Sequence, residues 1–185
     1  MRKLLNWLRS AHLVYVASPA GERAVYREIE RRQARKILEL GVAGGQRARR
    51  MIEAAKRGAA GPVCYAGIDL FDMRPADDDH LTLKQAHALL KPSGARVRLI
   101  PGDPFTALAR MANEIGPCDL IVVAGDQPEE SLQRAWFYVP RLLHAGTAVF
   151  AEHRDALGAA AEFALMRHED IHQRAARCSA RRRAA

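Results

Sequence analysis

Cysteine is scarce in this chain of 185 residues: there are three, Cys64, Cys118 and Cys178, widely separated and odd in number. That excludes a disulfide framework and the paired spacing of a zinc site, and it points to a reducing, cytoplasmic setting. No run of 18 or more apolar residues is present, so no transmembrane helix is expected. The opening segment, Met1 to Ser10, is basic but has neither a long apolar region nor a clear cleavage site, and does not read as a signal peptide. Internal repeats and long linkers are also missing. What remains is a length suited to one domain with a real core, at 49% hydrophobic residues.

Acidic residues are short overall, and the resulting net charge of +8 is unevenly placed. Residues 1–36 carry +6, residues 37–153 carry −1 and residues 154–185 carry +3. A nucleic-acid enzyme is expected to be basic around its cleft. Here the middle of the chain is neutral and the ends are basic, the pattern of solubilising faces or weak anionic contacts. Nucleic acid is therefore not the expected partner, although the basic ends keep an RNA-directed reading open.

Arg2 to Val16 places Leu4, Leu5, Trp7 and Leu8 on one broad face, an amphipathic helix suited to its own domain or to a second subunit, and so to a homodimer. Ser18–Gly21 is a turn, and Glu22–Arg35 a charged helix with Ala24, Val25 and Ile29 inside. From Lys36 the chain alternates. Strands are expected at 36–40, Val63–Asp69, Val97–Ile100, Asp119–Ala124 and Gly146–Ala151. Helices are expected at 46–57, Leu81–Leu90, Phe105–Ile115 and Ser131–Leu143. Leu157–Arg167 reads as a further helix. Repeated β-α units mean an α/β fold, a Rossmann-like doubly wound sheet that is mostly parallel and binds ligands at the carboxyl ends of its strands. The expected organisation is basic helices over 1–35, the Rossmann-like domain over 36–170 and an Arg-rich tail over 171–185 that includes Arg181, Arg182 and Arg183 and is open to disorder.

The most informative stretch is Ile37-Leu38-Glu39-Leu40-Gly41-Val42-Ala43-Gly44-Gly45-Gln46: a buried strand ending in an acid, a glycine turn, then a helix. Glycine lets a ligand approach the backbone, and a helix start offers free N–H groups. An ordinary strand-to-helix turn has the same outline. The dinucleotide pattern Gly-x-Gly-x-x-Gly is incomplete, since its second and third glycines are missing. A carboxylate at Glu39 suits a cationic ligand better than a diphosphate, and S-adenosylmethionine carries an ammonium and a sulfonium and no phosphate. Four acids stand at or past strand ends: Glu39, Asp69, Asp103 and Asp126. Carboxylates are strong acceptors for paired hydroxyls or an exocyclic amine. Asp103 before Pro104 also reads as a helix N-cap.

The stretch resembles motif I of the class I S-adenosylmethionine-dependent methyltransferases, Glu/Asp-x-Gly-x-Gly-x-Gly. Glu39, Gly41 and Gly45 match, and Ala43 replaces the middle glycine. Over about residues 20–153 the chain looks like the small-molecule O-methyltransferase branch. The resemblance implies a cofactor site of Glu39, Gly41, Gly45, Asp69 and Asp103, with Glu39 beside the methionine moiety, Asp69 at the ribose hydroxyls and Asp103 at the adenine amine. It also implies two closing strands, one antiparallel, after the fifth. The chain departs from the branch where Ala124, Gln127 and Ala151 stand for its usual Asp, His and Asp, so no metal site is expected. Asp126 and His153 are the candidate catalytic bases; an imidazole is the better matched to neutral pH. Asp77-Asp78-Asp79-His80 reads as a solvated loop tip, and Trp136, Phe137 and Tyr138 as core. The expected activity is methyl transfer from S-adenosylmethionine to a small-molecule acceptor, at oxygen. The alternative is a non-catalytic cofactor-binding or interaction module on the same scaffold.

Overall fold

The computed structural model describes residues 7, 8, 11–16, 18–58, 61–74, 80–153 and 162–184. Six strands form one sheet: β1 (Lys36–Leu40), β2 (Cys64–Asp69), β3 (Arg96–Pro101), β4 (Leu120–Val123), β5 (Ala148–His153) and β6 (Glu162–Met166). Their order is β3-β2-β1-β4-β5-β6. The first five are parallel, and β6 runs antiparallel beside β5. Chain direction across the sheet reverses between β1 and β4, which creates a crevice at their carboxyl ends.

The strands are central because their residues are apolar on both faces, as covered parallel strands require. Ile37, Leu38 and Leu40 of β1 and Ile121, Val122 and Val123 of β4 are all buried. One face is covered by α1 (Arg23–Arg32), α2 (Gln46–Gly58) and α3 (Leu83–Leu90). The other is covered by α4 (Pro104–Ile115), α5 (Glu129–Ala135) and α6 (His168–Ala184). Helix α2 buries Ala48, Met51, Ile52 and Ala55, a stripe at helical spacing. Helix α3 opens with a capping box of Thr82 and Gln85. Among the described residues no helix is long and apolar enough to cross a membrane.

Several expectations are revised. The helix expected over Ser131–Leu143 is the shorter α5, followed by a 3-10 turn at Val139–Leu142. Pro140 lacks an N–H and disfavours helix in the residue before it, so the α-helix cannot run through. The helix expected over Leu157–Arg167 is corrected to strand where it is described: Glu162–Met166 is β6, and pairing with β5 overrides its local helical pattern. Of the two closing strands implied by the resemblance, this one is found among the described residues. The segment from residue 171 lies within α6, which packs Ile171 and Ala175 into the core one turn apart and carries Glu169 and Asp170 at its dipole-positive start. Upstream, a π-helical turn (His12–Val16) and α1 bury Val14, Val25, Tyr26 and Ile29 in the same core as α2. Asp77, Asp78 and Asp79 lie outside the described residues.

Candidate functional site

The turn after β1 has the left-handed backbone its glycines anticipate. Gly41 and Gly45 have φ of +94° and +71°, and Ala43 takes +47° although it carries a Cβ. Asp69, at the end of the neighbouring β2, explains how Ala43 is held there: its carboxylate accepts the N–H of Val42 at 2.6 Å and of Ala43 at 2.9 Å. Strand ends β1 and β2 are thereby joined at the crevice.

Alternation along each strand decides which acids meet. Glu39 lies on the β1 face of Ile37, Asp69 on the β2 face of Tyr65 and Glu152 on the β5 face of Phe150, all toward α1 and α2. Glu39 is fully buried. It accepts from Arg47 Nε at 2.6 Å and from the Tyr65 hydroxyl. Arg47 also donates to the Gly41 carbonyl at 2.7 Å, comes within 3.7 Å of Glu152 and stacks its guanidinium 5.0 Å above the ring centre of Phe163. Burial pushes the Glu39 carboxyl up from its ordinary range, against the lowering influence of Arg47 and Tyr65. Burial disfavours charge on Arg47 as well, but Glu39 more than offsets it and holds the guanidinium above its usual value.

A second arginine closes the other half of the crevice. Arg74 donates from Nε to Asp69 at 2.8 Å and from Nη2 to Asp126 at 3.1 Å. It follows a 3-10 turn (Phe71–Met73) whose first residue, Phe71, is buried at a φ of +48°. Burial acts to raise Asp69, yet the Arg74 and Ala43 hydrogen bonds prevail and hold its carboxyl below the usual range. Asp126 also accepts from Gln127 Nε2 at 2.8 Å. The Gln127 amide and the Ala124 methyl lie against Gly41, so that a Cβ there would strike both.

Glu39, Gly41, Asp69 and Asp126 thus meet in one place, and Gly45 completes the turn. Asp103 does not join them by any hydrogen bond among the described residues. It caps α4, accepting from Phe105 and Thr106 N–H at 3.1 and 3.2 Å and from the Ser131 hydroxyl on α5. His153 also stands apart. It shares the opposite face of β5 with Val149 and Ala151, and lines a cavity of about 490 Å³ between α5 and α6. Ala124 and Gln127 form the wall between this cavity and Gly41. Among the described residues no three His, Cys, Asp or Glu side chains converge so as to hold a metal ion.

Sequence reasoning overlooked Arg47, Arg74 and Tyr65. Arg47 did leave a signal: a cation in the first turn of a helix opposes the dipole, and that first turn carries no acid. A buried carboxylate partner is what makes such a position favourable. Arg74 left none, because its partners are 5 and 52 residues away.

No protein-family model matches the chain, and no curated protein matches it. Solved structures do. The O-methyltransferase TomG of Streptomyces achromogenes, involved in tomaymycin synthesis and solved with S-adenosylmethionine, is 18% identical at a TM-score of 0.56, over 80% of this chain and 64% of that one. An O-methyltransferase of Bacillus cereus, solved with S-adenosylhomocysteine, is 19% identical at 0.54, over 80% and 65%. A putative O-methyltransferase of Klebsiella pneumoniae is 24% identical at 0.51, over 82% and 63%. The chain spans a little under two thirds of the length of these structures, and it has the class I S-adenosylmethionine-dependent methyltransferase fold.

Proposed function

We propose that the protein is an S-adenosylmethionine-dependent methyltransferase acting on a small molecule at oxygen. One observation carries the reading: the left-handed glycine turn, Glu39 and Asp69 meet at the carboxyl ends of β1 and β2, beside the strand-order reversal where α/β sheets bind ligands. The similar O-methyltransferases solved with S-adenosylmethionine or S-adenosylhomocysteine support the cofactor. A cytoplasmic enzyme fits the reduced cysteines, all three of which are free. A homodimer through the N-terminal segment has the exposed Trp7, Leu8 and Val16 in its favour.

The residues fit the group chemically. Asp69 would take the ribose hydroxyls, and Glu39 and the Gly41 carbonyl the cationic end, each in place of an arginine it now holds. Asp103 in its present bonds serves α4, so its part at the adenine amine requires it to share those bonds. When bound, the cofactor supplies a methyl group already activated by its sulfonium. The chain then has to align donor and acceptor, exclude water and, for an unionised hydroxyl, accept one proton. Asp126 at the crevice and His153 in the adjoining cavity are the groups for that proton.

A second reading is favoured by a specific observation. Arg47 fills the Glu39 site, Arg74 spans Asp69 and Asp126, and Gln127 covers Gly41. A scaffold whose own cations occupy the places of a cationic ligand fits a non-catalytic interaction module that no longer binds the cofactor. Calorimetric titration with S-adenosylmethionine and S-adenosylhomocysteine separates the two. The enzyme reading expects binding that Asp69→Asn weakens at least tenfold with folding intact. No binding by folded wild-type protein supports the module.

A further inference from the structure

The cavity between α5 and α6 has a ligand preference written in which of its polar groups are already engaged. Its wall mixes polar groups with apolar ones, Leu132, Trp136, Ala151, Leu165 and Met166 among them, around a volume of about 490 Å³, within the range of small-molecule sites. Three carboxylates also line it, and each has a protein partner. Glu152 accepts the N–H of Gly125 at 2.9 Å. Glu129 accepts from Gln133 at 3.0 Å. Asp170 is held by two nitrogens of Arg167, at 2.9 and 3.0 Å.

The two basic groups differ. Among the described residues, neither the Arg174 guanidinium nor the His153 ring has a hydrogen-bond partner. The Arg174 guanidinium carbon lies 5.3 Å from the ring centre of Trp136, and its charge also acts on Asp170 one turn earlier in α6. A smaller hollow of about 310 Å³ shares Trp136 and Arg174 and adds Arg177. The two basic groups thus have hydrogen bonds still to make, whereas each carboxylate already has a donor. A guanidinium fork is matched in shape and charge by a carboxylate.

We propose that this cavity is a binding site for a small organic acid, with an apolar body against Leu132, Trp136 and Met166 and its carboxylate on Arg174 and His153. Binding of the acid is independent of methyl transfer. That the acid is also the methyl acceptor rests on the methyltransferase reading and requires the Gln127 side chain, which covers Gly41, to move aside. In that case a carboxylate oxygen attacks the methyl carbon, the C–O bond forms as the S–C bond breaks, and the electron pair leaves on sulfur. An ester and a thioether result, and no base is needed.

Calorimetry on the full chain without cofactor tests the site, with benzoate and octanoate against benzamide and octanamide as neutral counterparts. At least one acid is expected to bind, at least tenfold more tightly than its amide. Arg174→Gln should remove that tenfold preference, and His153→Gln should reduce it. Circular dichroism and the thermal midpoint confirm that each variant is folded. Equal binding of acid and amide, a preference that survives in folded Arg174→Gln, or no binding of any acid each overturns the proposal. A second arm adds S-adenosylmethionine and looks for the methyl ester by mass spectrometry. If the acids bind and no ester forms, the site stands and the acceptor assignment falls.

Discussion

At the scale of single residues, the turn after β1 shows how one backbone conformation survives a change of residue. Ala43 stands where the family pattern has glycine, and keeps a left-handed φ of +47° because Asp69 accepts its N–H. A left-handed residue with a Cβ costs roughly 1–2 kcal/mol, comparable to what a hydrogen bond to a charged acceptor returns. Gly41 has no such latitude. Its φ is +94°, and a Cβ would meet the Ala124 methyl at 2.7 Å as well as the Gln127 amide. Ala124 sits at the end of a buried strand and cannot withdraw. Gly41→Ala is therefore expected to destabilise the fold by about 1–3 kcal/mol. Urea unfolding checks this, with the midpoint lowered and the slope unchanged. Gly44, which has open space around its Cα, should accept alanine with little change.

At the scale of elements, the segment from Asp69 to Arg74 acts as a clasp. It leaves β2, passes through Phe71 at a positive φ and brings Arg74 back across Asp69 and Asp126. A bulky residue in that conformation stores strain that the clasp must hold. Any ligand that needs the Asp69 carboxylate has to displace Arg74. Arg74→Ala is accordingly expected to tighten S-adenosylhomocysteine binding about tenfold, or about 1.4 kcal/mol. Weaker binding would instead make Arg74 part of the ligand site. The clasp also marks the limit of what the sequence discloses. The five parallel strands were legible to within two residues at each end, because each is a short apolar run flanked by turn residues. Glu39 and Asp69 were legible because strand ends and glycine turns are local patterns. Arg74 and Tyr65 were not, since Tyr65 meets Glu39 through β1–β2 pairing and Arg74 spans Asp69 and Asp126 only because β1 lies between β2 and β4. Strand β6 failed for the same reason: its helical pattern is local, whereas its pairing with β5 is not. The separation of His153 from Asp126 was hidden too, although strand alternation alone would have set His153 on the face opposite Glu152.

Across the whole molecule, the two ends of the sheet have different tasks. The carboxyl ends hold the crevice, and the amino ends are fastened by Asp119. This residue precedes β4, and its Oδ2 accepts the N–H groups of Arg35 and Lys36, both at 2.8 Å, where β1 begins. Its other oxygen lies 3.2 Å from His144 Nε2, in the connection leading to β5. One carboxylate thus joins three adjacent strands. Burial acts to raise its carboxyl, but the two backbone N–H groups and His144 prevail and hold it below the usual range. A carboxyl lowered in the folded state stabilises the protein above its unfolded value, about pH 4, and loses that contribution as the pH falls through the folded value. Asp119→Ala is expected to cost about 1–3 kcal/mol at pH 7, by removing two hydrogen bonds to a charged acceptor. The charge-dependent part of that deficit should disappear on acidification. Thermal midpoints of wild type and Asp119→Ala, followed from pH 7 to pH 2, should therefore converge below pH 4. Since Asp119 is about a third exposed, added salt should weaken the His144 contribution and leave the backbone bonds largely intact. Parallel midpoint curves down to pH 2 would mean that Asp119 acts through its shape and neutral hydrogen bonding alone, and that the amino edge of the sheet is not held by its charge.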